Sequence, residues 1–273
     1  MSQMTFEHAG LQTVAMLAAA LVFACAHAQE TDRAAELAKK LANPVASLIS
    51  VPAQYNYDEN FGANDEGSKS VLNVQPVVPF SLGSRWNLIT RTIVPLMSAH
   101  DVPPGSSESG LGDITQSFFF SPKEPIGGWI LAAGPVFLYP SASDATLGAE
   151  KWGAGPTALA LKQQGHWTYG MLVNHIESFA GTSARADLSI TYAQPFLAYI
   201  TKTKTTLGLN AESTYDWNAE QWSVPVNASV SQLLKVRSQI LQLQLGVRYW
   251  AESPANGPEG LGFRAAIVLL FPR

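Results

Sequence analysis

The stretch Ser238-Gln239-Ile240-Leu241-Gln242-Leu243-Gln244-Leu245-Gly246-Val247-Arg248-Tyr249-Trp250 decides how this chain is read. Successive side chains of a β-strand point to opposite faces. Leu241, Leu243, Leu245, Val247 and Tyr249 therefore share one face, while Gln242, Gln244, Gly246 and Arg248 share the other. One face is wholly apolar and the other is polar enough to meet water. An aromatic pair closes the strand. This period-two pattern fits a half-buried strand of a soluble sheet. It equally fits a membrane strand with lipid on one side and a wet lumen on the other.

Composition favours the membrane. Of 273 residues, 47% are hydrophobic and only 14% are charged, against roughly 25% charged in soluble domains. Yet after residue 28 no apolar run approaches the ~20 residues of a membrane helix. Barrels combine these properties because alternation hides their lipid-facing half. A net charge of −4 speaks against a nucleic-acid partner. At the start, Leu11 to Cys25 is an apolar core, and Ala26-His27-Ala28 is a small-x-small cleavage site before Gln29. Residues 1–28 therefore read as a cleaved signal peptide. Lipidation of Cys25 is the rival reading, opposed by bulky Phe23 where a small residue is expected. Cleavage after Ala28 leaves a mature chain without cysteine, so disulfides cannot hold it.

Residues 29–45 carry a short helical segment, Thr31 to Leu41, rich in Ala, Leu, Glu and Lys and ended by Asn43-Pro44. It reads as a short periplasmic surface helix, with a plug in the barrel mouth as the alternative. Residues 46–273 read as about twelve strands, the first two at 46–57 and 70–80, separated by a polar loop at 58–69. Long and short connections alternate along the chain, with residues 218–220 the one exception. In outer-membrane barrels short turns face the periplasm and long loops the exterior. Phe80, Trp86, Trp129, Trp167, Tyr199 and Phe271 mark the short-turn ends. Tyr57, Tyr139, Trp217, Trp222, Tyr249 and Trp250 mark the long-loop ends. Amphipathic rings settle at headgroup level and form two such girdles on a barrel. The expected fold is all-β: a transmembrane, antiparallel, up-and-down β-barrel of about twelve strands with a short N-terminal helix. Pro76, Pro135, Pro195 and Pro225 oppose it, since proline removes a ladder donor inside a strand.

Several stretches resemble a bacterial outer-membrane family, the "MetA-pathway of phenol degradation" proteins. They are Asn43-Pro44-Val45-Ala46-Ser47-Leu48-Ile49-Ser50-Val51-Pro52 and Gly110-Leu111-Gly112-Asp113-Ile114. A C-terminal block joins them, running from Gln221-Trp222-Ser223-Val224-Pro225-Val226-Asn227 to Leu269-Leu270-Phe271-Pro272-Arg273. The resemblance spans nearly the whole mature chain and implies a porin-like or transporter-like barrel for aromatic or other hydrophobic compounds. It supplies no catalytic residues.

The residues themselves show no Gly-x-Ser-x-Gly elbow, His-Glu-x-x-His pair or phosphate loop, and His100, His166 and His175 stand isolated in sequence. No catalytic residue, cofactor or metal ligand is therefore expected, and no enzyme. Acidic Asp58, Glu59, Asp65 and Glu66 read as a solvated outer loop, with divalent ions near lipopolysaccharide as the alternative. By alternation Arg91, Glu212, Asp216, Gln244, Arg248 and Arg264 are lumen-facing candidates. Two roles are open to them: a charged solute path, in which Arg248 and Arg264 favour anions, or salt bridges filling the interior. The expected function is an outer-membrane channel or transporter for small solutes, hydrophobic or aromatic ones included. The expected partners are outer-membrane lipid, lipopolysaccharide and the solute. The alternatives are a non-transporting structural or lipid-binding barrel, and then a lipid-modifying barrel enzyme.

Overall fold

The structure, a computed structural model, describes residues 35–271. The expected signal sequence with Cys25, residues 31–34 of the expected helix, and Pro272 and Arg273 lie outside the described residues. One helix, α1 at residues 35–41, precedes the sheet. The strands are β1 (Ile49–Phe61), β2 (Gly67–Val74), β3 (Val77–Leu82), β4 (Trp86–His100) and β5 (Ser107–Leu111). Next come β6 (Ile114–Pro122), β7 (Trp129–Tyr139), β8 (Lys151–Gln164), β9 (Trp167–Gly181) and β10 (Ser189–Ile200). The last are β11 (Thr205–Ala211), β12 (Ser213–Asp216), β13 (Gln221–Val236), β14 (Gln239–Glu252) and β15 (Gly260–Phe271).

All pairings are antiparallel and all strands belong to one sheet. β2 with β3, β5 with β6, and β11 with β12 are each one wall strand interrupted, so twelve strands surround the interior. The first and last strands close the barrel, in register from Ile49 opposite Phe271 to Tyr57 opposite Phe263. Closure removes both free edges.

Alternation holds around the wall. On β14, Leu243, Leu245, Val247 and Tyr249 are 40–62% exposed and point outward, while Gln242 is 8% exposed and points inward. Phe80, Trp86, Trp129, Trp167 and Phe271 are exposed outward at the short-turn end. Trp217, Trp222 and Tyr249 are exposed at the other end. Two expectations change. The 58–69 loop is much shorter, because β1 runs on to Phe61 and β2 begins at Gly67. Trp250 leaves the girdle and turns inward, since adjacent strand residues cannot share a face.

The N-terminal segment is not a surface helix. Val45 packs inside the barrel with the inward side chains Ile89, Phe119, Leu161 and Leu172. Leu37, Ala46 and Leu48 pack with Val268 and Leu270 on the opposite wall. Gln163 Nε2 donates to the Lys39 carbonyl at 2.8 Å, and Asn87 Nδ2 donates to Ser47 Oγ at 3.1 Å. Twelve strands fall between the roughly eight whose side chains fill a barrel and the roughly sixteen that leave a channel. Residues 35–48 fill the short-turn half of this interior, which is the plug alternative.

Candidate functional site

The in-strand prolines that oppose a barrel are what shape its interior. Pro76 lies in the gap between β2 and β3, where Gln75 N donates to the Pro52 carbonyl at 2.8 Å and keeps the register with β1 across the interruption. Pro225 sits at a register shift in β13, and Glu212 N donates to its carbonyl at 3.0 Å across the gap between β11 and β12. Pro195 on β10 faces the same gap: Ala193 and Phe196 pair with Ser213 and Asn210, while Gln194 and Pro195 have no ladder partner on that side and pair only with β9. A missing N–H is tolerated where the ladder is already broken. Pro135 instead lies opposite Pro156 between β7 and β8. Register with β1 and β13 is kept across the β2–β3 and β11–β12 interruptions, so alternation still turns Gln75 and Glu212 to the lumen, beside Asn73 and Thr214.

Glu212 anchors a charge cluster. Arg264 donates to both its carboxylate oxygens, at 2.9 Å from Nη1 and 2.7 Å from Nη2. Arg264 Nε donates to Asn56 Oδ1 at 2.7 Å, and Asn56 stands directly opposite it on β1. Arg264 is 2% exposed. Such a two-pronged guanidinium–carboxylate pair fixes geometry as well as charge. Arg248 lies 3.9 Å from Glu212 and 3.4 Å from Asp58, and stacks over the Trp250 ring at 4.9 Å. The Trp250 indole N–H donates to Asp58 Oδ1 at 2.8 Å. Asp58 is therefore a buried lumen carboxylate, not part of a solvated outer loop. Its parity with Gln54 and Asn56 on the polar face is the sequence signal for this.

Gly262 makes that contact possible. A Cβ there would stand 2.6 Å from Asp58 Oδ1 and 2.6 Å from the Tyr57 carbonyl. Gly262→Ala is expected to push Asp58 away from Arg248 and Trp250, at a cost of ~1–3 kcal/mol. Denaturant unfolding in detergent measures the cost.

Arg91 projects inward from β4 and donates to Gln75 Oε1 at 2.6 Å. The pair divides two spaces. A cavity of about 520 Å³ lies towards the long loops, lined by Asp58, Lys69, Arg91, Tyr192, Glu212 and Arg248 among others. A smaller one of about 180 Å³ lies below and is bounded by Lys40, Leu41, Asn43 and Pro44 of the N-terminal segment. Arg91 and Gln75 line both. Of the remaining candidates, Gln244 faces inward between Ser231 and Ala266 but does not line the larger cavity. Asp216 stands apart and caps the turn after β12, accepting from the backbone N–H groups of Asn218 and Ala219.

The Gly110-Leu111-Gly112-Asp113 stretch has a structural task. It lies at the interruption between β5 and β6, where Asp113 accepts N–H bonds from Ala142 and Ala149. Those bonds tie the 140–150 loop to the rim. Lys151 and Asp187 bridge the same rim at 2.8 Å. The Lys151 ammonium holds the Asp187 carboxyl below its usual range, so the bridge is present above that range and is lost as acidification protonates Asp187. Among the described residues no group of His, Cys, Asp and Glu is placed to hold a metal ion.

No protein-family model matches this chain, nor does any curated protein. Among solved structures it is similar to an outer membrane channel from Pseudomonas putida F1, with a TM-score of 0.63 and 18% identity, covering 82% of this chain and 96% of that one. It is also similar to the outer membrane phospholipase A from Escherichia coli, with a TM-score of 0.51 and 13% identity, covering 81% and 90%. At these identities the likeness is one of fold: a membrane-type β-barrel.

Proposed function

We propose that this chain is an outer-membrane channel for small solutes, shut at its periplasmic end by its own residues 35–48. One observation carries the reading: a cavity lined by charged and apolar residues inside an apolar-walled barrel, divided by Arg91 and Gln75 from a lower space that the N-terminal segment covers. A barrel serving only as a scaffold has no use for such a division. The short-turn end is assigned to the periplasm by the usual asymmetry of these barrels. Hydrophobic or aromatic solutes fit the resemblance to the phenol-degradation family, and the channel among the structural relatives supports transport. Planar-bilayer recording tests the proposal. Wild type should show small or rare openings, and deletion of residues 35–47 should raise the conductance several-fold. Equal, vanishing conductance in both would leave a sealed, structural barrel.

A specific observation supports a second reading, a lipid-modifying enzyme. On the outer wall near the long-loop rim, His175 Nδ1 lies 2.9 Å from Thr191 Oγ1 and His175 Nε2 lies 3.3 Å from Glu177 Oε1. Hydroxyl, imidazole and carboxylate in that order resemble a nucleophile–base–acid triad. The reading ranks second because the Glu177 side chain is 68% exposed, and an exposed pair orients an imidazole weakly. Release of fatty acid from phospholipid vesicles by wild type, lost in His175→Ala, would raise it to first.

A further inference from the structure

The lumen charges do not cancel. Around the larger cavity Lys69, Arg91, Arg248 and Arg264 supply four cations, whereas Asp58 and Glu212 supply two anions. Both carboxylates are already engaged, Glu212 by Arg264 and Asp58 by Arg248. Among the described residues neither Lys69 nor Arg91 is in ion-pair contact with a carboxylate, and the partner of Arg91 is the neutral amide of Gln75. A guanidinium uses several donors at once, so one amide oxygen leaves Arg91 donor capacity to spare. It also lies at the cavity floor, lining both the larger cavity and the smaller one below it. The same cavity has an apolar part, with Leu172, Ile190 and Tyr192 side by side on β9 and β10 and Ile93 on β4.

We propose that the larger cavity selects a small amphipathic monocarboxylate, its carboxylate held by Arg91 and its apolar body against Ile93, Leu172, Ile190 and Tyr192. This rests on the channel reading and names its solute class. The chemistry is that of a charge-assisted, two-pronged contact at a site with a surplus of two positive charges. A neutral molecule of the same shape gains the apolar contact and loses the charge-assisted one. Loss of a hydrogen bond to a charged group weakens binding by roughly tenfold or more.

Titration calorimetry on the purified barrel in detergent tests this, using benzoate and hexanoate against benzamide and hexanamide. Wild type is expected to bind each acid at least about tenfold more tightly than its amide. Arg91→Gln should abolish the preference, and Arg91→Lys should keep much of it because the charge remains. Wild-type discrimination alone can refute the proposal, so a variant that folds poorly does not shield it. Equal binding of acid and amide, or Arg91→Gln that still prefers the acid, would overturn it. Bilayer recordings on the same preparation separate the two layers. A barrel that conducts but ignores carboxylates refutes the solute class and leaves the channel. A barrel that binds them yet stays silent even without residues 35–47 refutes the channel reading.

Discussion

Glu212→Ala is expected to be the most damaging single change in the lumen, costing about 3–5 kcal/mol. Arg264 is almost wholly buried and spends both terminal nitrogens on Glu212. Removing the carboxylate leaves that guanidinium uncompensated and takes from Arg248 one of its two nearby anions. The penalty for stranding a buried charge exceeds the net worth of the pair, so removing both partners should hurt less than removing one. Glu212→Leu combined with Arg264→Met should therefore recover much of the loss. Urea unfolding in detergent or lipid, followed by the gel shift between folded and boiled protein, reads the difference. A Glu212→Ala barrel as stable as wild type would show that the cluster contributes no energy to the fold.

Leu243→Arg should impair assembly far more than Gln244→Arg. Leu243 lies beside Ile267 on β15 and is exposed on the outer wall. An arginine on the lipid face near the bilayer midplane costs ~2–4 kcal/mol, whereas a lumen position accommodates charge. Gln244, one residue on, points inward. The fraction of heat-modifiable barrel recovered from membranes measures both. Equal recovery would mean that the outer wall does not face lipid.

The wall of this barrel was legible in the sequence and much of its interior was not, for reasons that differ by residue. Period-two alternation is a local property, so the faces of β14 and β13 could be read residue by residue. Strand ends were harder. Asp58, Glu59 and Lys69 look like loop residues by type, yet β1 and β2 carry them as paired strand positions. The inward turn of Trp250 was available from parity with Arg248, but was masked by its aromatic neighbour Tyr249. The prolines were read as an objection because the sequence does not show which neighbouring strands are also interrupted. Pro195 and Pro225 make sense only once both flank Glu212. Arg264 and Asn56 are separated by 208 positions and meet only because the first strand closes on the last. No local pattern encodes that register. Residues 46–48 were apolar enough to be read as the start of a strand, but packing inside the barrel claims Ala46 and Leu48 instead.

The lumen charges also redirect where selectivity should be sought. Arg248 and Arg264 are neutralised by Asp58 and Glu212, so reversing them tests stability more than permeation. Among the described residues Arg91, unlike those two, is in no ion-pair contact, and it lines both cavities. The most direct test of a solute path through this lumen is therefore the reversal potential in a salt gradient, measured on the barrel lacking residues 35–47, with and without Arg91→Glu. The expected result is anion preference in the parent and a shift towards cations in the variant, with folding retained in both. An unchanged reversal potential in a well-folded Arg91→Glu barrel, or no conductance in either, would contradict a path past Arg91.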